Sequence, residues 1–376
     1  MFKKVVCAIN ILVFFAVFSV NCLALDADDL SAYSAVVYCV ETGKVVFEKN
    51  AYDIRSMAST TKIMTSVIAL ECNTPDRVVE ITAEMVDVEG TSSGLKAGDS
   101  ITLENLVYCM LLESGNDAAN SVAIAVGGSF EKFVALMNKK AKEIGMHNTS
   151  FETPSGLDGE NHYTTAYDMA ILTAYALENP DFERICSSSS YKLSFENSEK
   201  TVTLSNHNRL LKEYEGCIGV KTGFTKKSGR CLVSAVKNDG ITLIAVTLNA
   251  WDDWNDHKEM LDYGAECISS TDADSDFSAY SVPVTGSDIS MVGIECKNVR
   301  VAVDSASQPK IERKIYLEKF LYAPVEKGDI VGYAEYYNGD IFVARVPLTA
   351  DRSAEVSRKK VKNNLIDRLL SLFDRW

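Results

Sequence analysis

Two hydrophobic periods alternate between residues 33 and 268 of this chain, and only one of them continues past the polar stretch SSTDADSD, 269–276. That switch limits the fold more than any feature of composition. In YSAVVYCVETGKVVFEK (33–49) two β-rich runs flank Glu-Thr-Gly-Lys, the pattern of a hairpin. Apolar residues then take helical spacing from Ser59 to about Leu70, and again in TLENLVYCMLLE (102–113), DAANSVAIAVG (117–127), SFEKFVALMNKKAKEIG (129–145) and 164–178. Strand character returns in CLVSAVKNDGITLIAVTLN (231–249), folded back at Asn238-Asp239-Gly240. WNDHKEMLDYGAECI (254–268) is the last helix. Strands at both ends with helices between them predict one α+β domain over 25–268, its terminal strands sharing a sheet.

Beyond the stretch 269–276, read as a linker, helical spacing is absent. YSVPVTG, VRVAVD, KIERKIYLE and GDIVGYAEYYNGDIFVARVPL predict a small all-β sandwich over 277–350. Two domains suit a chain of 376 residues.

Both ends of the chain have a different character. Lys3 and Lys4 precede an apolar run from Val5 to Val20, broken by Asn10 and Ser19, and Cys22-Leu23-Ala24 offers small residues for cleavage. Residues 1–24 therefore read as a secretory signal peptide, with an uncleaved membrane anchor as the alternative. A lipoprotein signal at Cys22 is disfavoured by Asn21. Residues 351–376 carry seven Lys or Arg against four Asp or Glu, whereas 25–350 carry 29 against 48. In that tail Val361, Leu365, Leu369, Leu372, Phe373 and Trp376 fall on one helical face. A basic helix with such a stripe, ending an acidic exported chain, predicts a peripheral anchor lying in the membrane surface; docking on its own body or a partner is the alternative.

A formal net charge of −14 argues against nucleic acid as a partner. Eight cysteines follow Ala24, widely spread and without a Cys-x-x-Cys pair, so no metal site is expected. Several sit within apolar runs, as Cys39 and Cys109 do, and read as small buried hydrophobes rather than disulfide partners.

The candidate chemistry begins at ASTTKIMTS, 58–66. Ser-x-x-Lys occurs seven times in the chain, so Ser59-x-x-Lys62 means little alone. Two rarer patterns follow it: Ser114-Gly115-Asn116 between two helices, and Lys221-Thr222-Gly223, the single Lys-Thr-Gly, on a strand. The order helix start, helix–helix joint, strand is the specific signal, since such a trio marks penicillin-interacting serine enzymes. Ser59 needs a base to become a nucleophile. Lys62 emerges one turn on, on the same face. Burial and the like charge of Lys221 disfavour its charged form, so it can act as a base near neutral pH. The helix N-terminus supplies N–H groups for an oxyanion hole. Ser114 suits proton transfer to the leaving amine, Asn116 a substrate amide, and Lys221 with Thr222 a substrate carboxylate. Gly223 lets substrate backbone lie against the strand. The plainer alternatives are helix caps for Ser59 and Ser114 and an edge-strand charge for Lys221. His207 reads as surface or hydrogen-bonded structure; His147, His162 and His257 read as structural; Asn208 and Arg209 are candidates for the mouth of the site.

At these residues the chain resembles the serine D-alanyl-D-alanine carboxypeptidases, the low-molecular-mass penicillin-binding proteins. The resemblance runs through MASTTKIMT (57–65), LLESGNDAAN (111–120), PSGLDGENHYTTAYDMA (154–170), GVKTGFT (219–225) and ARVPLTA (344–350). It implies a β-lactamase/transpeptidase-like catalytic domain, no cofactor, and a peptidoglycan stem peptide as substrate at the extracytoplasmic face of a bacterial membrane. It further implies attack by Ser59 on the penultimate D-alanine carbonyl and hydrolysis of the acyl-enzyme by water. The oxyanion hole would be the N–H groups of Ser59 and Phe224, and β-lactams would acylate Ser59.

Three other readings compete. A class A β-lactamase deacylates with the glutamate of a Glu-x-x-Leu-Asn stretch, but Leu-Asn occurs only at 248–249, with Ala245 in the glutamate's place. A crosslink-cutting endopeptidase would use the same residues. A non-catalytic wall-binding protein would have no need of Lys62.

Overall fold

The computed structural model describes residues 25–357, and these form two compact units: 25–269 with 304–306, and 270–303 with 307–357. The leader expected at 1–24 lies outside the described residues.

The first unit is built on an antiparallel five-stranded sheet. Its strands are β1 (Ser34–Cys39), β2 (Lys44–Lys49), β7 (Cys217–Thr225), β8 (Gly229–Asn238) and β9 (Ile241–Ala250), in the order β2-β1-β9-β8-β7. The terminal strands do share the sheet, with Ser34 opposite Leu248 and Cys39 opposite Leu243. Asp239 (φ 50°) and Gly240 (φ 81°) form a two-residue turn with both residues left-handed, the geometry that matches the twist of the flanking strands. Consecutive rather than alternate residues of β1 and β9 are buried, so both faces of the sheet are covered. The helices Ala166–Leu177 and Asp253–Cys267 pack against it. From the latter, His257 is fully buried and bridges two strands, its Nδ1 against Ser234 Oγ and its Nε2 against Thr247 Oγ1.

The remaining helices make a layer that carries the site. Lys62–Glu71 is buried along nearly its whole length, and Leu103–Leu112 and Asn116–Gly127 pack against it. Two short pairs escaped the sequence reading: β3 (Val78–Glu80) with β4 (Ser100–Thr102), and β5 (Ser190–Phe195) with β6 (Ser198–Ser205). The first pair is too short for an alternation to register. The second is largely polar, with Leu193, Phe195 and Leu204 as its buried residues.

The second unit is all-β. A six-stranded sheet runs β14-β16-β17-β12-β11-β15: Ile311–Leu317, Ile330–Asn338, Ile341–Ala350, Met291–Glu295, Ser281–Thr285 and Leu321–Tyr322. A separate pair joins β10 (Ile268–Ala273) to β13 (Val299–Asp304). Its apolar cluster includes Val282, Val292, Val301, Val331, Tyr336 and Leu348. The stretch 269–276 is therefore a linker only in its second half, because its first half is strand. Nor is 351–357 the start of a helix: Ala354 bridges to Val325 and Val356 to Ser287. The stripe from Val361 to Trp376 lies outside the described residues. Among those described, no helix is long and apolar enough to cross a membrane.

Candidate active site

Residues Ala58–Thr61 form a 3₁₀ turn that runs directly into the helix Lys62–Glu71. The turn is held by its own hydroxyls: Thr60 Oγ1 donates to the Met57 carbonyl (2.6 Å) and Thr61 Oγ1 to the Ala58 carbonyl (2.8 Å). Ala58, Thr60 and Thr61 are buried; Ser59 alone of the four reaches the surface. Neither this turn nor the helix after it has a side-chain cap, so the Ser59 hydroxyl does not serve as an N-cap.

It meets Lys62 instead. Lys62 Nζ lies 3.0 Å from Ser59 Oγ, 2.7 Å from Asn116 Oδ1 and 2.6 Å from the Ser155 carbonyl. The orientation of the Asn116 amide is set on its other side, where Nδ2 donates to the Glu89 carbonyl (2.6 Å). Asn116 Oδ1 and Ser155 O can only accept. A neutral amine has two N–H groups and one lone pair. The two N–H groups match these acceptors, and the lone pair is left for the Ser59 O–H. Burial holds the Lys62 amine well below the usual lysine range, the charge of Lys221 adds to this, and Asp117 opposes it. The surroundings thus favour the neutral form, in which Lys62 can accept the Ser59 proton.

Lys221 stands on β7, buried, with Nζ donating to the Thr222 carbonyl (2.8 Å). Burial lowers its pKa to about 7. Strand β7 is a sheet edge and presses on the turn that carries Ser59: a Cβ at Gly223 would stand 3.0 Å from the Ser59 nitrogen and 3.2 Å from that of Thr60. The absence of a side chain at Gly223 lets strand backbone lie against that turn.

Ser114 lies between the helices Leu103–Leu112 and Asn116–Gly127 with φ 62°, and the residue capping the second helix is Gly115. Left-handed backbone at a non-glycine residue costs on the order of 1 kcal/mol and persists only where neighbours impose it. Here they do. Buried Asp117 accepts from Ser92 Oγ (2.6 Å) and from the N–H groups of Ser93 and Leu95, drawing 92–95 onto the joint. A Cβ at Gly115 would collide with Ser93 Oγ. At the middle position of Ser-Gly-Asn a larger residue could be accommodated only if the Ser93 and Asp117 side chains moved aside.

An open cleft of about 330 Å³ brings these parts together, lined by Ser59, Thr91, Ser114, His207, Thr222, Gly223, Phe224, Arg230, Asp253 and Trp254. Asn116 and Lys221 lie behind its wall rather than on it. Asn116 is committed to Lys62 and Glu89, so its side chain holds the Lys62 amine in place. Asn208 and Arg209 do not line the cleft either: Asn208 is buried, and Arg209 stacks over Trp254 at 5.3 Å.

Comparison with known proteins agrees with this geometry. Residues 21–252 match the family model described as D-alanyl-D-alanine carboxypeptidase, and 273–356 match that of the penicillin-binding protein 5 C-terminal domain. The chain belongs to the D-alanyl-D-alanine carboxypeptidase family. It is 38% identical to the Bacillus subtilis carboxypeptidase DacF over 58% of this chain and 57% of that one. It is 28% identical to DacC of Escherichia coli over 88% and 86% of the two chains. A Streptomyces DD-transpeptidase structure superposes with a TM-score of 0.61 at 30% identity, covering 62% of this chain and 97% of that one. The Francisella tularensis carboxypeptidase DacD does so with 0.60 at 28% identity, over 87% and 94%.

What sequence reasoning missed in this carboxypeptidase is mostly the support around Ser59. The segment 153–165 clamps the turn that carries Ser59. The Pro154 carbonyl accepts from Thr65 Oγ1 (2.6 Å) and the Ser155 carbonyl accepts from Lys62. Gly156, with φ 93°, passes against the Ala58 carbonyl. Backbone carbonyls leave no side-chain signature, so only the glycine hinted at the contact. His162, read as structural, accepts the Glu152 N–H at Nδ1 (2.9 Å), which leaves Nε2–H to donate to Thr61 Oγ1 (2.8 Å). His207 and Arg230 line the cleft without a motif to announce them. Arg230 is held by Asp253 (2.9 Å) and faces the Trp254 ring.

The two buried histidines make acid stability a test of the fold. Burial lowers the pKa of His162 to about 4 and that of His257 to about 3. Both are depressed below the unfolded value of about 6.5, so the unfolded chain binds more protons on acidification. Their contribution is complete above pH 6.5 and is lost as pH falls towards 4. Each histidine contributes a slope of about 1.4 kcal/mol per pH unit in that window. Urea melts between pH 7 and pH 4 are expected to show it, and a shallower slope for His257→Gln.

Proposed function

We propose that this carboxypeptidase removes the terminal D-alanine from stem peptides of the bacterial cell wall through an acyl-enzyme on Ser59. The observation carrying the reading is the Lys62 amine, enclosed by two acceptors and turned on the Ser59 hydroxyl beside a second buried lysine. Ser59 Oγ adds to the penultimate D-alanine carbonyl as its proton passes to Lys62 Nζ. The N–H groups of Ser59 and Phe224 receive the oxyanion. The proton moves on through Ser114 to the leaving nitrogen, the C–N bond breaks and free D-alanine departs. Lys62, neutral again, takes a proton from water as it adds to the Ser59 ester, and returns that proton to Ser59 Oγ as the acyl–oxygen bond breaks. Thr222, with Lys221 behind it, serves the substrate carboxylate. β-Lactams follow the first half of this path and stop at the ester. The segments 1–24 and 351–376 suit export and attachment to the outer membrane surface, which is where such a substrate is found.

The direct test is D-alanine release from an acylated Lys-D-Ala-D-Ala peptide by the purified protein and by Ser59→Ala. Release that falls below detection in the variant is the expected result. Equal release by both, or none from folded wild-type protein, removes this assignment. Cleavage of a crosslinked dimer in preference to the linear peptide would favour an endopeptidase, an activity named for one E. coli relative at 28% identity.

A further inference from the structure

A second groove, of about 640 Å³, opens beside the catalytic cleft and shares Phe224 and Arg230 with it. Its other walls include Tyr33, Asn50, Asn249 and Trp251. Three of its aromatic residues are unusually open: Tyr33 is 43% exposed, Phe224 66% and Trp251 80%. Single exposed aromatics are ordinary, but a row of them continuous with an active site marks a binding surface.

The row follows one end of the sheet. Phe224 lies opposite Arg230, Arg230 opposite Ala250, and Leu248 opposite Ser34, so the groove crosses from β7 past β8 and β9 to β1. At about 4.8 Å between strands, Trp251 lies roughly 10 Å from Phe224 and Tyr33 roughly 15 Å. The Tyr33 ring is already positioned, with the Arg55 guanidinium 4.2 Å over it and its O–H donating to Asp53. A surface ordered before binding costs little to order on binding.

We infer that this groove holds the peptide on the amino side of the penultimate D-alanine. The inference rests on the carboxypeptidase reading, which sets the direction of the substrate. With the terminal carboxylate towards Lys221 and Thr222, the leaving residue lies at that end of the motif. The acyl side then passes Gly223 and leaves over Phe224, where the groove begins. An extended chain covers about 3.4 Å per residue, so roughly three residues, all that a pentapeptide carries on this side of the penultimate D-alanine, reach Trp251, and its N-acetyl cap approaches Tyr33. Those are stem residues, with amide planes and aliphatic side chains that stack on aromatic faces. A sugar carrying the stem would lie beyond.

The test compares kcat/KM for D-alanine release from an N-acetylated tripeptide and a pentapeptide, both ending in D-Ala-D-Ala. Wild-type protein is expected to prefer the pentapeptide, and Trp251→Ala to lower the pentapeptide-to-tripeptide ratio by about fivefold to tenfold, the size of one aromatic contact. Tyr33→Ala is expected to lower it less. Trp251 is exposed enough that folding is not at stake. An unchanged ratio in Trp251→Ala overturns the inference. So does a loss confined to a disaccharide-linked pentapeptide, which would give the groove to the sugar. Penicillin acylation of Ser59 in the same samples separates the two claims: with acylation intact and the ratio unchanged, only the groove assignment fails. If wild-type protein neither releases D-alanine nor is acylated, both fail.

Discussion

Lys62→Met is expected to lower D-alanine release by about 10³-fold, within the range that a positioned general base contributes. Methionine keeps the length and apolar stem of the side chain but has no lone pair basic enough for the Ser59 proton. The substitution also leaves Asn116 Oδ1 and the Ser155 carbonyl without their donor, at a cost of about 1–3 kcal/mol for each buried acceptor. Part of that cost is offset, because the lost amine was itself buried and polar. The informative comparison is between acylation by a β-lactam and melting temperature. A base role requires acylation to collapse while the variant still melts cooperatively. Acylation near the wild-type rate would remove Lys62 from the chemistry.

Gly156→Ala is expected to lose both stability and acylation, although residue 156 never meets substrate. Two effects add. The backbone at 156 is left-handed, and the new Cβ would run into the Ala58 carbonyl of the nucleophile turn. Strain and overpacking of this kind together amount to about 3 kcal/mol or more, or roughly 10 °C in Tm for a unit of this size. Gly98 is a matched control. Its φ of 92° is nearly that of Gly156, and open space surrounds its Cβ position. Gly98→Ala therefore carries the backbone term alone, about 1 kcal/mol, and is expected to keep full acylation. Equal losses in the two variants would mean that the contact with Ala58 does not matter. A shift confined to Gly156→Ala would show that the 153–165 segment holds Ser59 in place.

The extent to which this molecule can be read from its residues differs between parts. The hairpins at 33–49 and 231–249 were legible because a period of two and a turn signature are local properties. The longer helices were legible for the same reason, and their observed bounds differ by only a few residues; the short helices Ala83–Val86, Pro180–Cys186 and Leu210–Glu213 were not, because one or two turns are too few for a helical period to show. The polar stretch 269–276 misled because Ser, Thr and Asp are common in linkers, yet an edge pair such as β10 with β13 can carry them on its open side. The start of the terminal segment misled because helical spacing further on said nothing of 351–357, where Ala354 and Val356 make isolated bridges to Val325 and Ser287.

The site divides in the same way. Residue types and their order singled out Ser59, Lys62, Ser114, Thr222 and Gly223, and the fold brings them together: four line one cleft and Lys62 meets Ser59. Residue order also brought out Asn116 and Lys221; the fold buries both, Asn116 against Lys62 and Lys221 as the like charge already expected from the sequence. The protonation of Lys62 is a tertiary property. It depends on burial and on Lys221 and Asp117, both far along the chain from Lys62. The left-handed Ser114, the close approach of Ser93 to Gly115, and the aromatic row from Phe224 to Tyr33 arise only when distant segments meet. Local spacing thus named the candidate reacting groups, while the burial and contacts that tune them come from neighbours that the folded chain alone brings close.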